Sequence, residues 1–395
     1  MTALLIALLS CIIWIYLLAA RGGFWRALQR GDERPTIAPP NLRWPSVVAI
    51  IPARNEAAVI GGSIGSLLRQ NYRGSFAVIV VDDHSTDGTA AAARHAAAAE
   101  GASDRVIVLA APRLPDGWTG KLWAMHRGVG HAQALPEPPD YLLLIDADIH
   151  CADETLTELI RRAVRDGLLL TSLMAKLRCQ SFVERALIPA FIFFFQMLYP
   201  FAWVNRADRA TAAAAGGCML VHRRSLQIAG GLEAIRGELI DDCALARLLK
   251  RHGPIWLGLT ERVRSVRAYA SVAEIRRMVA RCAYAQLQFS PWRLAGTIAA
   301  MSVTYLAPPA MALFGSGAAQ LLGALAWALM ALALQPTLRF YAVSLWWGFA
   351  LPAIAAMYLM FTLVSAYQHL RGRGGEWKGR VHGETSSREA SGHSR

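Results

Sequence analysis

A mixed α/β fold on a mainly parallel sheet, joined to helices of membrane-spanning length, is what this sequence predicts. Three observations predict it. Short β-branched runs alternate with helical stretches between about residues 43 and 266, the pattern of parallel strands linked by helical crossovers. The apolar residues are clustered: the chain is 54% hydrophobic and 17% charged, against about 25% charged in soluble domains, and the excess sits at the N-terminus and in the C-terminal third. Acidic residues recur where the strands end, the edge at which open α/β sheets bind ligands.

Residues 1–20 form an uncharged apolar run, long enough to cross a bilayer. No basic region precedes it and no small-x-small site closes it, so it reads as an anchor and not as a cleaved signal peptide. Arg21, Arg26 and Arg30 follow and place the next domain on the cytoplasmic side. Residues 43–290 read as the catalytic domain. Strands are expected at 46–51, 76–81, 105–109 and 141–145, with helices at 56–70, 87–100 and 120–133. Within this domain 182–204 (IPAFIFFFQMLYPFAW at its centre) is apolar enough to span. A crossing there would put the two halves of the acidic constellation on opposite sides, so it is expected to lie along the membrane surface, with a core helix as the plainer alternative. Residues 294–368 hold three apolar stretches, 294–314, 318–335 and 341–368, with Trp346 and Trp347 suited to an interface. The basic, Gly- and Ser-rich tail 369–395 is expected to be flexible. Its arginines and lysine favour the cytoplasm, whereas three full spans would carry it outside. Either one stretch is re-entrant, near Pro308–Pro309 or Pro352, or the tail breaks the charge rule.

The formal charge of +13 calls for an anionic partner. No nucleic-acid motif and no basic run interleaved with aromatics occurs, so the reading is no nucleic acid; anionic lipid and a nucleotide diphosphate account for the charge. Six scattered cysteines with no metal-ligand spacing fit a reduced compartment.

The chemistry is carried by six segments. VVAIIPARNE (47–56) ends a strand and opens a helix that Asn55 could cap, with Glu56 placed to accept hydrogen bonds from a ligand; plain strand–turn–helix punctuation is the alternative. In VVDDHSTDGT (80–89) two carboxylates crowd a strand end, a costly placement unless something uses them; Asp83 could accept a base N–H, while Ser85, Thr86 and Asp87 suit helix capping. DGWTGKLWAM (116–125) sets Gly120 and Lys121 at a helix start, suited to phosphate oxygens, although a solvated turn lysine looks the same and the P-loop spacing is absent. LLLIDADIH (142–150) runs a buried strand into Asp146-Ala147-Asp148, hard oxygen ligands for a divalent cation. Asp148 is the expected ligand, Asp146 lies nearer ribose or metal, and His150 could complete the shell. GGCMLVHRR (216–224) lets backbone approach a ligand closely. GELIDDCALA (237–246) opens an amphipathic helix with Asp241 and Asp242; dipole compensation explains paired acids there, and so does a general base, for which Asp242 is the choice.

Together these segments resemble the family 2 glycosyltransferases with the GT-A fold, over about residues 46–288. The resemblance implies that residues 52–56 and Asp83 hold base and ribose of a nucleotide-sugar donor, with UDP as the expected nucleotide. It implies that Asp146 and Asp148 form the DxD metal motif for Mg2+ or Mn2+. Asp242 stands where the family's ED motif carries its base, with Asp241 in place of the glutamate. It further implies an inverting single displacement. The polymerases of the family carry QxxRW after this helix; residues 281–292, RCAYAQLQFSPW, lack it, which argues against polymer synthesis. The layout from the N-terminal anchor through DDHSTDGT, GWTGKLWA and LIDDCALA to WKGR (377–380) is similar to the hopene-associated branch, which implies a membrane lipid acceptor linked to hopanoids. The alternatives are a polyprenyl-phosphate sugar synthase, a polysaccharide synthase, a sugar nucleotidyltransferase, and an inactive membrane scaffold. The scaffold has no use for buried carboxylates.

Overall fold

The computed structural model of the chain describes residues 1–32 and 42–372; the tail from 373 onward, with its WKGR motif, lies outside the described residues. Two compact units form. One comprises Gly31–Lys176 and Ala212–Arg267, the other Met1–Arg30, Leu177–Thr211 and Ala268–Arg371. Residues 177–211, with the apolar helix Phe182–Leu198, therefore belong to the unit that carries the apolar helices.

The first unit is built on one eight-stranded sheet. Its strands are β1 (Val47–Ala53), β2 (Phe76–Asp82), β3 (Val106–Ala110), β4 (Tyr141–Ile145), β5 (Ile149–Cys151), β6 (Leu170–Lys176), β7 (Cys218–His222) and β8 (Ile255–Ser265), in the order β3-β2-β1-β4-β7-β6-β8-β5. β1 to β4 are parallel to one another, and β1 and β4 are buried along their whole length, as strands covered on both faces must be. Helices Ala57–Leu68, Thr89–Ala99 and Gly120–Gln133 fall within a few residues of the expected spans. β7 runs antiparallel to β4, with Ile145 opposite Cys218. That reversal lays the turn before β7 beside the turn after β4, where the acids are.

Helix Gly120–Gln133 packs closely because Gly128 has no side chain: a Cβ there would come 2.5 Å from Ile50 Cγ2 and 3.1 Å from Val81 Cγ2. The close approach fixes where its first turn, with Lys121, meets the sheet edge. The helix after β1 is not capped by Asn55, as expected from sequence, because Asn55 takes φ 50° and turns its side chain to the Thr86 amide at 2.9 Å. The orphan amides go across the sheet instead. Ala57 N donates to Asp87 Oδ2 at 3.0 Å and Glu56 N to Thr89 Oγ1 at 2.9 Å, while Asp87 Oδ1 accepts Thr89 N. The ends of β1 and β2 are thereby welded into one surface.

In the other unit, among the described residues, four helices are long and apolar enough to cross a membrane: Thr2–Ala19, Pro291–Phe314, Gly317–Phe340 and Leu351–Leu370. The second contains a π-turn, Ser302–Leu306, just before Pro308–Pro309. Pro308 has no N–H to offer the Thr304 carbonyl four residues back, and Trp14 Nε1 takes that carbonyl at 2.8 Å while Ser10 Oγ donates to Val303 O at 2.7 Å. Two polar groups of the N-terminal helix thus satisfy carbonyls that the break exposes. Glu184 is the other fixed point. It has no exposed surface, and it accepts the amides of Gln180, Ser181 and Tyr269 at 2.8, 2.9 and 2.8 Å and Arg178 Nη1 at 3.0 Å. It ties together the two segments where the chain enters this unit. Glu184→Ala leaves three amides and a guanidinium without their acceptor, and should cost about 3–5 kcal/mol, read as a lowered denaturation midpoint of the detergent-solubilised chain, with Glu184→Gln intermediate.

Candidate active site

The acids named from the sequence gather at the carboxyl ends of β1, β2 and β4, in three linked groups. The first is centred on Lys121. Thr119 caps its helix, with the side chain accepting Leu122 N, and the Lys121 ammonium lies 2.9 Å from Asp146 Oδ1 and 3.3 Å from Asp241 Oδ2. Burial works against its charge, but Asp146, Asp241 and Asp242 outweigh burial and hold it well above the usual lysine range. Asp146 is itself pushed up by burial and by Asp148, with Lys121 pulling the other way. Asp242, in the first turn of helix Asp241–Lys250, is tied to the turn before β7: its Oδ2 accepts Gly216 N at 2.9 Å and its Oδ1 accepts Cys243 N at 2.7 Å. Burial, then the Asp241 charge, raise its carboxyl to about 6, against the pull of Lys121 and the two amides. The backbone of Gly216 lies close under both groups: a Cβ there would come 3.3 Å from Lys121 Nζ and 3.4 Å from Asp242 Oδ2.

The second group is centred on Arg267, two residues past the end of β8. Its Nη2 donates to both Glu56 oxygens at 2.7 and 2.9 Å, and its Nε to Asp148 Oδ2 at 3.2 Å. Ser265 Oγ adds a 2.6 Å bond to the same Asp148 oxygen. Glu56, at the end of β1, and Asp148, after β4, are thus clasped by one side chain that sequence reading did not name. Nothing local marks Arg267, which is one of three arginines spaced two or three apart in RVRSVR; only the folded-back end of β8 singles it out. The third group is Asp83 with Arg54. Asp83 has no exposed surface, and Arg54 Nη1 donates to its carbonyl at 2.6 Å and lies 3.6 Å from Oδ2. Pro52 is buried inside β1, opposite Val81. His150 does not join the acids. It packs under the helix after β1, in the space a Gly62 side chain would need.

A hard divalent cation that also carries a diphosphate needs one or two carboxylates and leaves its other positions to phosphate oxygens and water. Asp146 and Asp148, which follow β4 beside the Gly216–Gly217 turn, are carboxylates of the type such a cation takes. Among the described residues no group of three or more His, Cys, Asp or Glu is placed to hold a metal ion by itself. The residues present fit the group.

A mainly parallel sheet with an antiparallel return, acids at its carboxyl edge, and a lysine at a helix start fit a glycosyltransferase of the GT-A type. Residues 48–228 match the model described as Glycosyl transferase family 2, and the chain therefore carries a family 2 glycosyltransferase domain. No curated relative matches the sequence. Among solved structures, Mannosyltransferase PcManGT from Pyrobaculum calidifontis, in complex with GDP-Man and Mn2+, is similar over 91% of this chain and 99% of its own, at 20% identity and TM-score 0.52. A mannosyl-3-phosphoglycerate synthase from Rubrobacter xylanophilus is similar over 66% and 80%, at 18% identity and TM-score 0.39. A glucosyl-3-phosphoglycerate synthase from Mycobacterium tuberculosis, in complex with Mn2+ and UDP-Glc, is similar over 60% and 77%, at 18% identity and TM-score 0.37. The first of these carries the likeness of fold.

Proposed function

We propose that the chain transfers a sugar from a nucleotide-sugar donor, UDP-linked in the first instance, to a hydroxyl of a membrane lipid, with inversion at the anomeric carbon. One observation carries the reading: Lys121 is shared between Asp146, next to the other carboxylate of the Asp-x-Asp pair, and the Asp241–Asp242 helix start almost a hundred residues later. Donor-side and acceptor-side acids are thereby adjacent. Asp148 with Asp146 would hold a divalent cation, which would supply charge neutralisation for the diphosphate leaving group. Lys121 and the amides of its helix start hold phosphate oxygens. Arg54, Glu56 and Asp83, at the joined ends of β1 and β2, bind the nucleoside. Asp242 takes the proton of the acceptor hydroxyl as its oxygen bonds to the anomeric carbon and the bond to the diphosphate breaks. Two backbone donors fix the carboxylate that does this.

Four helices of spanning length support a membrane setting, read as a multi-pass protein of the bacterial inner membrane with its catalytic domain cytoplasmic and its acceptor in the bilayer. The resemblance to the hopene-associated branch makes a hopanoid-linked lipid the first acceptor to try. The test is a screen of radiolabelled nucleotide sugars with native membrane lipids and the purified full-length chain, with mass spectrometry of the lipid product. Transfer to a lipid, dependent on one nucleotide sugar and on Mg2+ or Mn2+, is the expected result. Neither hydrolysis nor transfer with any donor would leave the scaffold reading standing.

A further inference from the structure

The unit that carries the apolar helices holds a feature the transfer reaction does not use. A cavity of about 270 Å³ lies between the turn that follows Thr2–Ala19 and the end of helix Phe182–Leu198. Phe24, Phe201 and Ala202 form apolar walls, and Arg26 and Leu28, both exposed, stand at its mouth. Gln196 lines it as well. That residue is 2% exposed, and its carboxamide nitrogen is buried with no hydrogen-bond partner among the described residues. A buried amide left so costs about 1–3 kcal/mol. The turn is held rigidly against the opposite wall: a Cβ on Gly22, at φ 63°, would come 2.8 Å from Trp203 Nε1, and Arg21 Nε donates to Met197 O at 3.2 Å. The cavity is therefore part of the fold, and it offers a polar contact that the chain does not complete.

Its surroundings say what completes it. The lining turn begins directly after the 18-residue apolar helix, at the depth where a spanning segment leaves the hydrocarbon. Guanidinium and indole groups crowd there, with Arg21 and Arg209 over Trp203 at 5.1 and 5.6 Å and Arg26 over Trp25 at 5.4 Å. Basic and aromatic side chains in this position face anionic headgroups. A cation at the mouth, apolar walls behind it and one uncharged amide inside suit an amphiphile, not a free ion.

We propose that this cavity binds the phosphoglycerol region of an anionic membrane lipid, its phosphate on Arg26 and a glycerol or ester oxygen on the Gln196 carboxamide. The lipid is bound and not transformed. The site lies outside the catalytic unit, so the proposal stands or falls independently of the reaction above.

The test is native mass spectrometry of the full chain in detergent, exposed in turn to phosphatidylglycerol, phosphatidylcholine and excess inorganic phosphate. One phosphatidylglycerol per chain should be retained, phosphatidylcholine should not, and inorganic phosphate should not displace the lipid. Gln196→Leu and Arg26→Gln should each lower retention roughly tenfold, the loss expected for one charge-assisted or buried hydrogen bond, and Ala202→Phe should abolish it by filling the space. Arg26→Gln changes an exposed side chain and keeps the test decisive if either buried substitution fails to fold. Equal retention of the two lipids, displacement by phosphate alone, or unchanged retention in Arg26→Gln would overturn the proposal.

Discussion

Asp242→Asn should lower sugar transfer by about 10²–10⁴-fold, the usual contribution of a positioned general base, while donor affinity stays within a few-fold. The expectation follows from what each oxygen does. One carboxylate oxygen accepts Gly216 N and the other Cys243 N, so the group is already oriented; an amide of the same shape keeps one of these bonds and loses the other, because its NH2 cannot accept. The loss is of basicity. Lys121 keeps Asp146 and Asp241 as partners, so the donor side of the site is spared. Donor titration by calorimetry and single-turnover transfer separate the two effects. Loss of donor binding in step with turnover would make Asp242 part of the donor site instead. An acceptor that is already an anion, such as a polyprenyl phosphate, needs no base, and the substitution would then cost little.

Asp148→Ala should abolish metal-dependent transfer, by about 10³-fold or more, since a cation on the leaving diphosphate is worth several kcal/mol and each 1.36 kcal/mol is tenfold in rate. The same change removes the oxygen on which Ser265 Oγ and Arg267 Nε converge, leaving Arg267 to Glu56. Asp148→Asn keeps a side-chain oxygen for those donors and isolates the metal effect from the structural one. Mn2+ binding followed by electron paramagnetic resonance reads the cation directly. Affinity should fall in both variants, and wild-type affinity in Asp148→Asn would remove that residue from the ligand set.

The parallel half of the sheet is legible in the sequence because each strand is a short β-branched run bounded by a turn signal: IIPARNE after β1, VDDHSTDG after β2, IDADI after β4. In the other, mixed half β7 follows a glycine turn, but β5, β6 and β8 are not marked. β5 has three residues, β6 (LTSLMAK) shows neither alternation nor β-branching throughout, and β8 runs eleven residues through Gly258 into alternating charges. Those strands exist because of partners far away in the chain, and pairing of that kind leaves little local trace. The site divides in the same way. Asp146, Asp148 and Asp242 announce themselves at strand and helix ends, and Lys121, an ordinary turn lysine by its neighbours alone, gains its place only when Gly128 lets its helix close on β1 and β2. Arg267 is the residue that no spacing rule finds, because its two partners lie 211 and 119 positions away. Asp83 stands out as one of a carboxylate pair, yet its burial beneath Arg54 is a property of the joined strand ends.

The central claim is that Asp242 is the ionisation on which transfer depends, and the pH profile of kcat/KM tests it most directly. The folded chain holds this carboxyl at about 6, so it is a base above that pH and protonated below. The profile should rise through about pH 6, falling about tenfold per unit on the acid side and levelling above it, and the acid limb should vanish in Asp242→Asn. The same acid limb in wild type and Asp242→Asn, at undiminished rate, would contradict the account.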